Sequence, residues 1–191
     1  MKRTLSLCLC SAALLGLASG AGARTVNGCH ISSGTLCVEA KLAGADLKKA
    51  NLARANLFAA DLAGANLSGA NLTEARLQDA NLQRAALTGA VLAGADLKRA
   101  ELMQADLEGA DLSNANLEDA QLRGAHLAGA TLTGASMRGA GLAQATLKGA
   151  DLQRANLTTA ELRGADLRDA DLRGTVLRDA NLQGADLTGA R

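Results

Sequence analysis

Two cysteines with seven residues between them, Cys29 and Cys37, are the residues of this 191-residue chain whose type and spacing most directly suggest chemistry. A redox-active pair usually reads Cys-x-x-Cys, and a zinc site needs more ligands than these two cysteines and His30 offer. An even number of cysteines in an oxidising compartment favours a structural disulfide instead. We therefore predict a bridge between Cys29 and Cys37, with redox and metal chemistry as the alternatives.

The compartment is predicted from the segment 1–23, which has a composition of its own. A short basic start, an apolar run over residues 5–17 and small residues up to Ala23 are typical of a secretory signal peptide, with cleavage between Ala23 and Arg24. An uncleaved membrane anchor is the alternative, but the apolar run is shorter than the roughly 20 residues that span a bilayer. We therefore expect a periplasmic or secreted protein that loses the two leader cysteines.

A five-residue repeat determines the structure of the chain beyond the two cysteines. Alanine fills 30 of the 31 positions at intervals of five from 40 to 190, and leucine fills 29 of the 30 positions from 42 to 187. Thr175 and Met137 are the departures. The position between Ala and Leu is Asp or Asn in more than half of the repeats, and Gly is frequent in the last place. Internal repetition of this kind predicts a solenoid before any local propensity is considered.

The period excludes a helix and a plain strand. Five residues advance an α-helix by roughly 140° net, so successive leucines would spread around the cylinder instead of forming a stripe. Because five is odd, successive leucines of a straight strand would alternate between its faces. The chain must therefore bend once per repeat, with Ala and Leu pointing inward and the Asp or Asn between them pointing outward. Asp, Asn and Gly suit the tight turns that such bends require.

Residues 40–190 resemble the pentapeptide-repeat family, and stretches such as ANLARANLFAADLAGANLSGANL (50–72) carry its motif. The resemblance implies an all-β fold, a right-handed quadrilateral β-helix with four repeats per coil and seven to eight coils. Residues 20 apart in sequence would then stack on adjacent coils. We expect three segments: a signal peptide over 1–23, an N-terminal disulfide cap over 24–39 and the β-helix over 40–191.

The stacking also bears on metal binding. Asp106 and His126 are four repeats apart, as are Asp151 and Asp171, so each pair would lie on adjacent coils and could share a cation. We interpret these residues instead as ordinary members of the polar position of the repeat. No inserted loop interrupts the repeat to form a pocket in which pKa values could be shifted. We therefore predict no enzymatic activity, no metal and no cofactor.

One set of outer residues is the candidate interaction surface. It combines the single aromatic residue, Phe58, with four arginines spaced by five: Arg163, Arg168, Arg173 and Arg178. Four repeats per coil would place these arginines on successive sides of one coil, as a belt among several aspartates. The alternative is that they are solvated, mutually paired surface charges.

The charge balance limits the partners. Without the leader the chain has 18 basic and 19 acidic residues, which argues against a broad basic surface for nucleic acid or for an anionic membrane. We expect a non-catalytic exported rod that acts as a structural or protein-interaction module, with an unknown protein partner and a homodimer through the C-terminal coil as a further hypothesis. The resemblance also offers a DNA-mimicking binder of type II topoisomerase (gyrase) in antibiotic protection. In a third hypothesis, the function resides in the cap segment.

Overall fold

Residues 24–191 are described by a computed structural model. The predicted signal peptide, including Ala23, lies outside these residues, while Arg24 begins the first element. The described residues begin with an antiparallel hairpin of β1 (Arg24–Val26) and β2 (Cys29–Ile31). Beyond it, every five-residue repeat contributes one isolated β-bridge and one tight turn.

The bridges establish four repeats per coil. They are parallel and join residues 20 apart without exception, from Leu36 with Asn56 to Asp166 with Asp186. Residues 36–191 therefore wind into just under eight coils of a right-handed quadrilateral β-helix. The predicted fold class is confirmed, including its register, which no insertion interrupts.

Backbone hydrogen bonds hold the coils together. In the repeat 61–65, the N–H groups of Asp61, Leu62 and Gly64 donate to carbonyls of the adjacent coils at 2.7–2.9 Å. The N–H of Ala65 donates to the Leu62 carbonyl at 3.0 Å and closes the turn. Four of the five backbone donors in the repeat are thus satisfied by backbone carbonyls.

The fifth donor is the N–H directly after the leucine, here called the post-leucine N–H. In repeat 61–65 it belongs to Ala63 and donates to Oδ1 of Asp61 at 3.2 Å. The residue directly before the leucine, here called the pre-leucine position, supplies such an acceptor in every one of the 17 repeats where it is Asp or Asn. Asp and Asn therefore lie on the β-bridges and cap the following turn with their side chains, whereas the sequence pattern suggested that they form the turn.

The turn itself depends on the residue two places after the leucine position, which is Gly64 in repeat 61–65. That residue has positive φ in all 32 turns from Gly34 to Gly189, as a type II turn requires at its second central position. Glycine fills 16 of these positions, and the other 16 hold residues such as Arg54 (φ 58°). A left-handed conformation costs a non-glycine residue about 1–2 kcal/mol, so these side chains are retained against a local penalty.

The interior consists of the two apolar positions of the repeat. The core leucines from Leu42 to Leu167 and Met137 are at most 1% exposed, and each buried leucine is worth about 1.5–3 kcal/mol. The alanines from Ala55 to Ala170 are equally buried. Thr175 is tolerated in an alanine position because its hydroxyl donates to the Leu152 carbonyl at 2.6 Å.

The hairpin covers the N-terminal end of the rod. Cys29 and Cys37 are bonded, with their Cα atoms 5.4 Å apart, and both are buried. The Asn27 side chain donates to the Lys41 carbonyl at 2.8 Å, and Arg24 donates to the Asp46 carbonyl. In later coils the carbonyl at the same position accepts from a leucine N–H of the preceding coil. At this end of the rod the hairpin takes the place of a preceding coil and supplies the donors for these two carbonyls.

The coil formed by residues 172–191 is less covered. Its leucines are half-buried or exposed, with Leu187 at 39%, while the outward-facing Val176 is 46% exposed. Within residues 24–191, no helix has the length and apolar character that crossing a membrane would demand.

Candidate functional site

The outer surface of the rod is built from three residues of each repeat: the pre-leucine residue and the two residues of the turn. Because residues 20 apart stack, each side of the rod presents three columns of side chains that run along its axis. Adjacent members of a column are separated by the strand spacing of about 4.8 Å. The chemistry of a side is therefore found by comparing every twentieth residue.

The predicted arginine belt does occupy four successive sides, but its members differ. Arg168 donates to Asp166 with a shortest distance of 2.6 Å, and Arg173 pairs in the same way with Asp171. Arg163 and Arg178 form no ion pair among residues 24–191. Half of the belt is thus neutralised by an aspartate of its own repeat.

These two ion pairs lower the pKa values of their aspartates. The hydrogen bonds from the Arg168 side chain lower the pKa of Asp166 to about 2. The hydrogen bonds from the Arg173 side chain likewise lower the pKa of Asp171. Both carboxylates also accept the post-leucine N–H of their repeat, at 3.2 Å.

Phe58 does not complete the predicted surface. It is 38% exposed and points outward, as expected, but it shares a column with Arg178 at a distance of six coils. Six coils correspond to roughly 29 Å. Phe58 and the arginine belt therefore lie at opposite ends of the rod and form no single patch.

Other charges pair between coils. Arg99 binds Asp79 in a bidentate manner at 2.7 Å, and Lys98 lies 3.0 Å from Glu118 on the same side of the rod. Such exposed pairs add little to stability individually, because solvent screens them. We interpret them as surface ladders that support neighbouring coils.

The stacked pairs considered as cation ligands are adjacent, since Asp106 bridges His126 and Asp151 bridges Asp171. Within residues 24–191 no group of three or more His, Cys, Asp or Glu residues could hold a metal ion. Asp106 is occupied as an acceptor for the Glu108 N–H at 3.2 Å and for the Thr88 hydroxyl at 2.8 Å. The interpretation as ordinary polar positions fits these contacts.

One side of the rod carries a groove that sequence reasoning missed. We call it the groove face and define it as the outer residues of five stacked repeats: 81–85, 101–105, 121–125, 141–145 and 161–165. Two adjoining depressions of about 330 Å³ and 200 Å³ lie along it. They form because Gly124 separates Gln104 from Gln144, and Ala143 separates Arg123 from Arg163.

The groove face is rich in hydrogen-bond donors. Its rims carry Arg84, Arg123 and Arg163, and none of these guanidinium groups is in an ion pair among residues 24–191. Arg84 donates to the side chain of Gln104 at 3.0 Å. Of the predicted surface residues, only Arg163 lines these depressions. A comparison of every twentieth residue of the sequence would have shown the alternation of long and small side chains that creates them.

Comparison with known proteins agrees with this architecture. A family model described as pentapeptide repeats matches residues 35–73, 70–109, 100–139, 115–154 and 155–191. The chain therefore belongs to the pentapeptide-repeat family. No curated protein matches the chain significantly.

Solved structures of pentapeptide-repeat proteins are similar to the chain. HetL from the cyanobacterium Nostoc sp. strain PCC 7120, a protein involved in heterocyst differentiation regulation, is 40% identical over 81% of this chain and 75% of its own, with a TM-score of 0.41. Trypsin-treated QnrB1, a plasmid-mediated fluoroquinolone resistance protein, is 23% identical over 74% of this chain and 81% of its own, with a TM-score of 0.65. A protein of the Arabidopsis thaliana thylakoid lumen is 35% identical over 54% of this chain and 68% of its own, with a TM-score of 0.47. At its level of identity, the likeness to QnrB1 concerns the fold alone.

Proposed function

We propose that this protein is an exported, non-catalytic β-helical rod that acts as an interaction module. The observation that carries the proposal is the unbroken register of the bridges from Leu36 to Asp186. It presents side chains in straight columns at strand spacing, a geometry suited to an extended or repetitive partner. No inserted loop encloses a catalytic cavity along residues 36–191.

Export is supported by the leader composition of residues 1–23 and by the Cys29–Cys37 bond. Structural disulfides persist in oxidising compartments and are rare in the cytosol. Fractionation of cells that express the full chain, followed by N-terminal sequencing, tests the proposal. We expect a processed form outside the cytoplasm that begins at Arg24 and titrates no free thiol. An unprocessed cytoplasmic protein with reactive Cys29 and Cys37 would contradict export.

Topoisomerase binding is the alternative function that the family resemblance offers, and the likeness in fold to the resistance protein QnrB1 is compatible with it. A DNA mimic needs a dense negative surface to imitate the phosphate backbone. The chain without its leader has 18 basic and 19 acidic residues, and the groove face carries three arginines that form no ion pair within residues 24–191. Fractionation separates the two functions, since a cytoplasmic location is required for a gyrase binder.

Self-association through residues 172–191 is a further part of the proposal. The exposed Leu187 and Val176 in this coil support it. Sedimentation of the purified protein and of Leu187→Lys should show a dimer that the substitution weakens. A monomer for both proteins at high concentration would contradict this part.

A further inference from the structure

The groove face contains a row of backbone donors without an internal acceptor. Its pre-leucine positions hold Glu101, Gln121, Gly141 and Glu161 in four consecutive coils, and none of these is Asp or Asn. The post-leucine N–H groups of these repeats make no hydrogen bond within residues 24–191, and they belong to Met103, Arg123, Ala143 and Arg163.

These donors point toward solvent. In the 17 repeats with Asp or Asn, the same N–H binds an outward-facing side chain two residues earlier, for example Ser68 N–H to Asn66 Oδ1 at 3.2 Å. The other sides of the rod lack this acceptor in at most two consecutive coils, as at His126 and Thr146. The groove face is thus the side on which uncapped donors form the longest column.

The positive charge lies on the same face. Arg84, Arg123 and Arg163 surround the two depressions without an ion pair among residues 24–191. The face also carries two carboxylates, and each accepts from a neutral amide: Gln83 donates to Glu101 at 2.5 Å, and Asn181 donates to Glu161 at 2.9 Å. Three arginines against two carboxylates leave the face with an excess of positive charge beside the row of uncapped N–H groups. A ligand with anionic acceptors therefore complements the arginines best.

We propose that the groove face binds an acidic polypeptide segment in an extended, polyproline-II-like conformation that runs along the rod axis. Its carboxylates bind the arginines, and its carbonyls accept from the post-leucine N–H row and from Gln104 and Gln144. Arg123 and Arg163 are two coils apart, or about 9.6 Å. Every third side chain of a polyproline II helix is about 9.3 Å from the last, so a carboxylate at every third residue matches this spacing.

The lining of the groove favours a peptide over a single-stranded nucleic acid. Nucleic-acid grooves combine basic residues with aromatic side chains on which bases stack. Neither depression is lined by an aromatic residue, whereas Gln104, Gln144 and Met103 offer the amide and apolar contacts that a peptide uses. The proposal rests on the proposed function as an interaction module and names the chemistry of its partner.

The test measures the binding of a fluorescein-labelled peptide with six Glu-Pro-Pro units to the purified protein by fluorescence anisotropy, with a Gln-Pro-Pro peptide as control. The triple variant Arg84→Gln/Arg123→Gln/Arg163→Gln should weaken binding at least about tenfold. The matched variant Arg138→Gln/Arg154→Gln/Arg178→Gln removes the same charge from other sides, where these arginines also lack an ion pair within residues 24–191, and it should retain binding. Equal losses in both variants, or equal binding of both peptides, would overturn the proposal.

A second variant tests the donor row without changing charge. Gln121→Asn with Gly141→Asn supplies the missing acceptors for the Arg123 and Ala143 N–H groups. A Cβ at Gly141 would lie 2.8 Å from the flexible Gln121 Oε1, which the shorter asparagine withdraws. We expect weaker peptide binding together with a higher unfolding midpoint, a combination that simple misfolding does not produce. Unchanged binding would overturn the role of the donor row.

A polyuronate of similar length serves as the competitor. If it displaces the peptide at lower carboxylate concentration than unlabelled peptide does, the occupant is a polysaccharide and the proposal is overturned. Failure in this assay leaves the fractionation result intact, and a cytoplasmic location would leave a positive binding result intact. The two proposals can therefore fail separately.

Discussion

Two stretches of the rod share one interior and differ in their outer hydrogen bonds. Pre-leucine residues over 46–81 are Asp or Asn in every repeat except that of Arg76, and each of them accepts the post-leucine N–H. Over 121–146 six consecutive repeats have neither Asp nor Asn at this position. The core leucines and Met137 are nevertheless completely buried in both stretches.

The difference separates what builds the coil from what reinforces it. Inter-coil backbone hydrogen bonds continue unchanged through 121–146, so the coil does not require the Asp or Asn cap. The cap adds a local increment to each repeat that has it. Stability should then be a sum of interior, inter-coil and cap contributions, as in other solenoids.

The largest effect is expected in the interior, and it should be equal in the two stretches. Leu67→Ala and Leu127→Ala truncate the same interior column three coils apart, and both side chains are fully buried. Each substitution should lower the free energy of unfolding by about 2–5 kcal/mol, because it removes buried apolar area and leaves a cavity. Urea denaturation measures both. A cost twice as large in one stretch would break the claim that they share one interior.

Removal of a cap should have a smaller effect. Asn66→Ala leaves the Ser68 N–H without its acceptor and should cost about 0.5–1.5 kcal/mol. Asn66→Asp keeps the acceptor oxygen and is the matched control, with little change expected at neutral pH. The denaturation midpoints of the unsubstituted protein and the two variants test this prediction. Equal losses of stability in both variants would show that the acceptor oxygen is not the source of the effect.

Addition of a cap should have the opposite sign. Thr131→Asn places an acceptor before the Thr133 N–H in the stretch that lacks caps, and it should raise the free energy of unfolding by about 0.5–1 kcal/mol. The matched control is Thr131→Val, which keeps the shape without the acceptor. If both variants have the same midpoint, the two stretches differ in sequence alone and not in cap energy.

Acid sensitivity is the smallest expected effect, and 121–146 should lack it because no carboxylate occupies a pre-leucine position there. Asp166 has its pKa lowered to about 2 by Arg168, below the value of about 3.9 for an unfolded chain. Its ion pair therefore stabilises the fold above about pH 4, and this contribution is lost as the pH falls toward 2. Denaturation of Asp166→Asn should show a deficit at pH 5 that shrinks toward pH 2. A deficit independent of pH would exclude the ion pair as its source.

Much of this architecture could be predicted from the sequence. The five-residue period excludes helix and strand and requires one bend per repeat, while four repeats per coil came from the family resemblance. The role of Asp and Asn could not be assigned in the same way. Both residues suit turns by propensity, but only the backbone pairing shows that they lie on the bridge and cap the turn from outside.

The candidate site was harder to predict, because its residues are separated by whole coils in sequence. Arg84, Arg123 and Arg163 become one face only after the chain is wound, and the depressions depend on Gly124 and Ala143. The pairing of Arg168 with Asp166 was accessible, since the two are separated by one residue within one repeat. Comparing residues 20 apart in sequence therefore locates the groove face, whereas the spacing of five that defines the arginine belt does not.

Because the register is unbroken, the number of repeats determines which side of the rod each later residue occupies. Deletion of one repeat, such as 91–95, would leave Ala and Leu in their interior columns but would turn every later repeat by a quarter of the circumference relative to the earlier ones. Arg123 and Arg163 would stay aligned with each other while losing alignment with Arg84. Deletion of four repeats, such as 91–110, would shorten the rod by one coil and keep all four sides in phase. Changes in length during the evolution of such a rod are thus silent for its surface only in multiples of a whole coil.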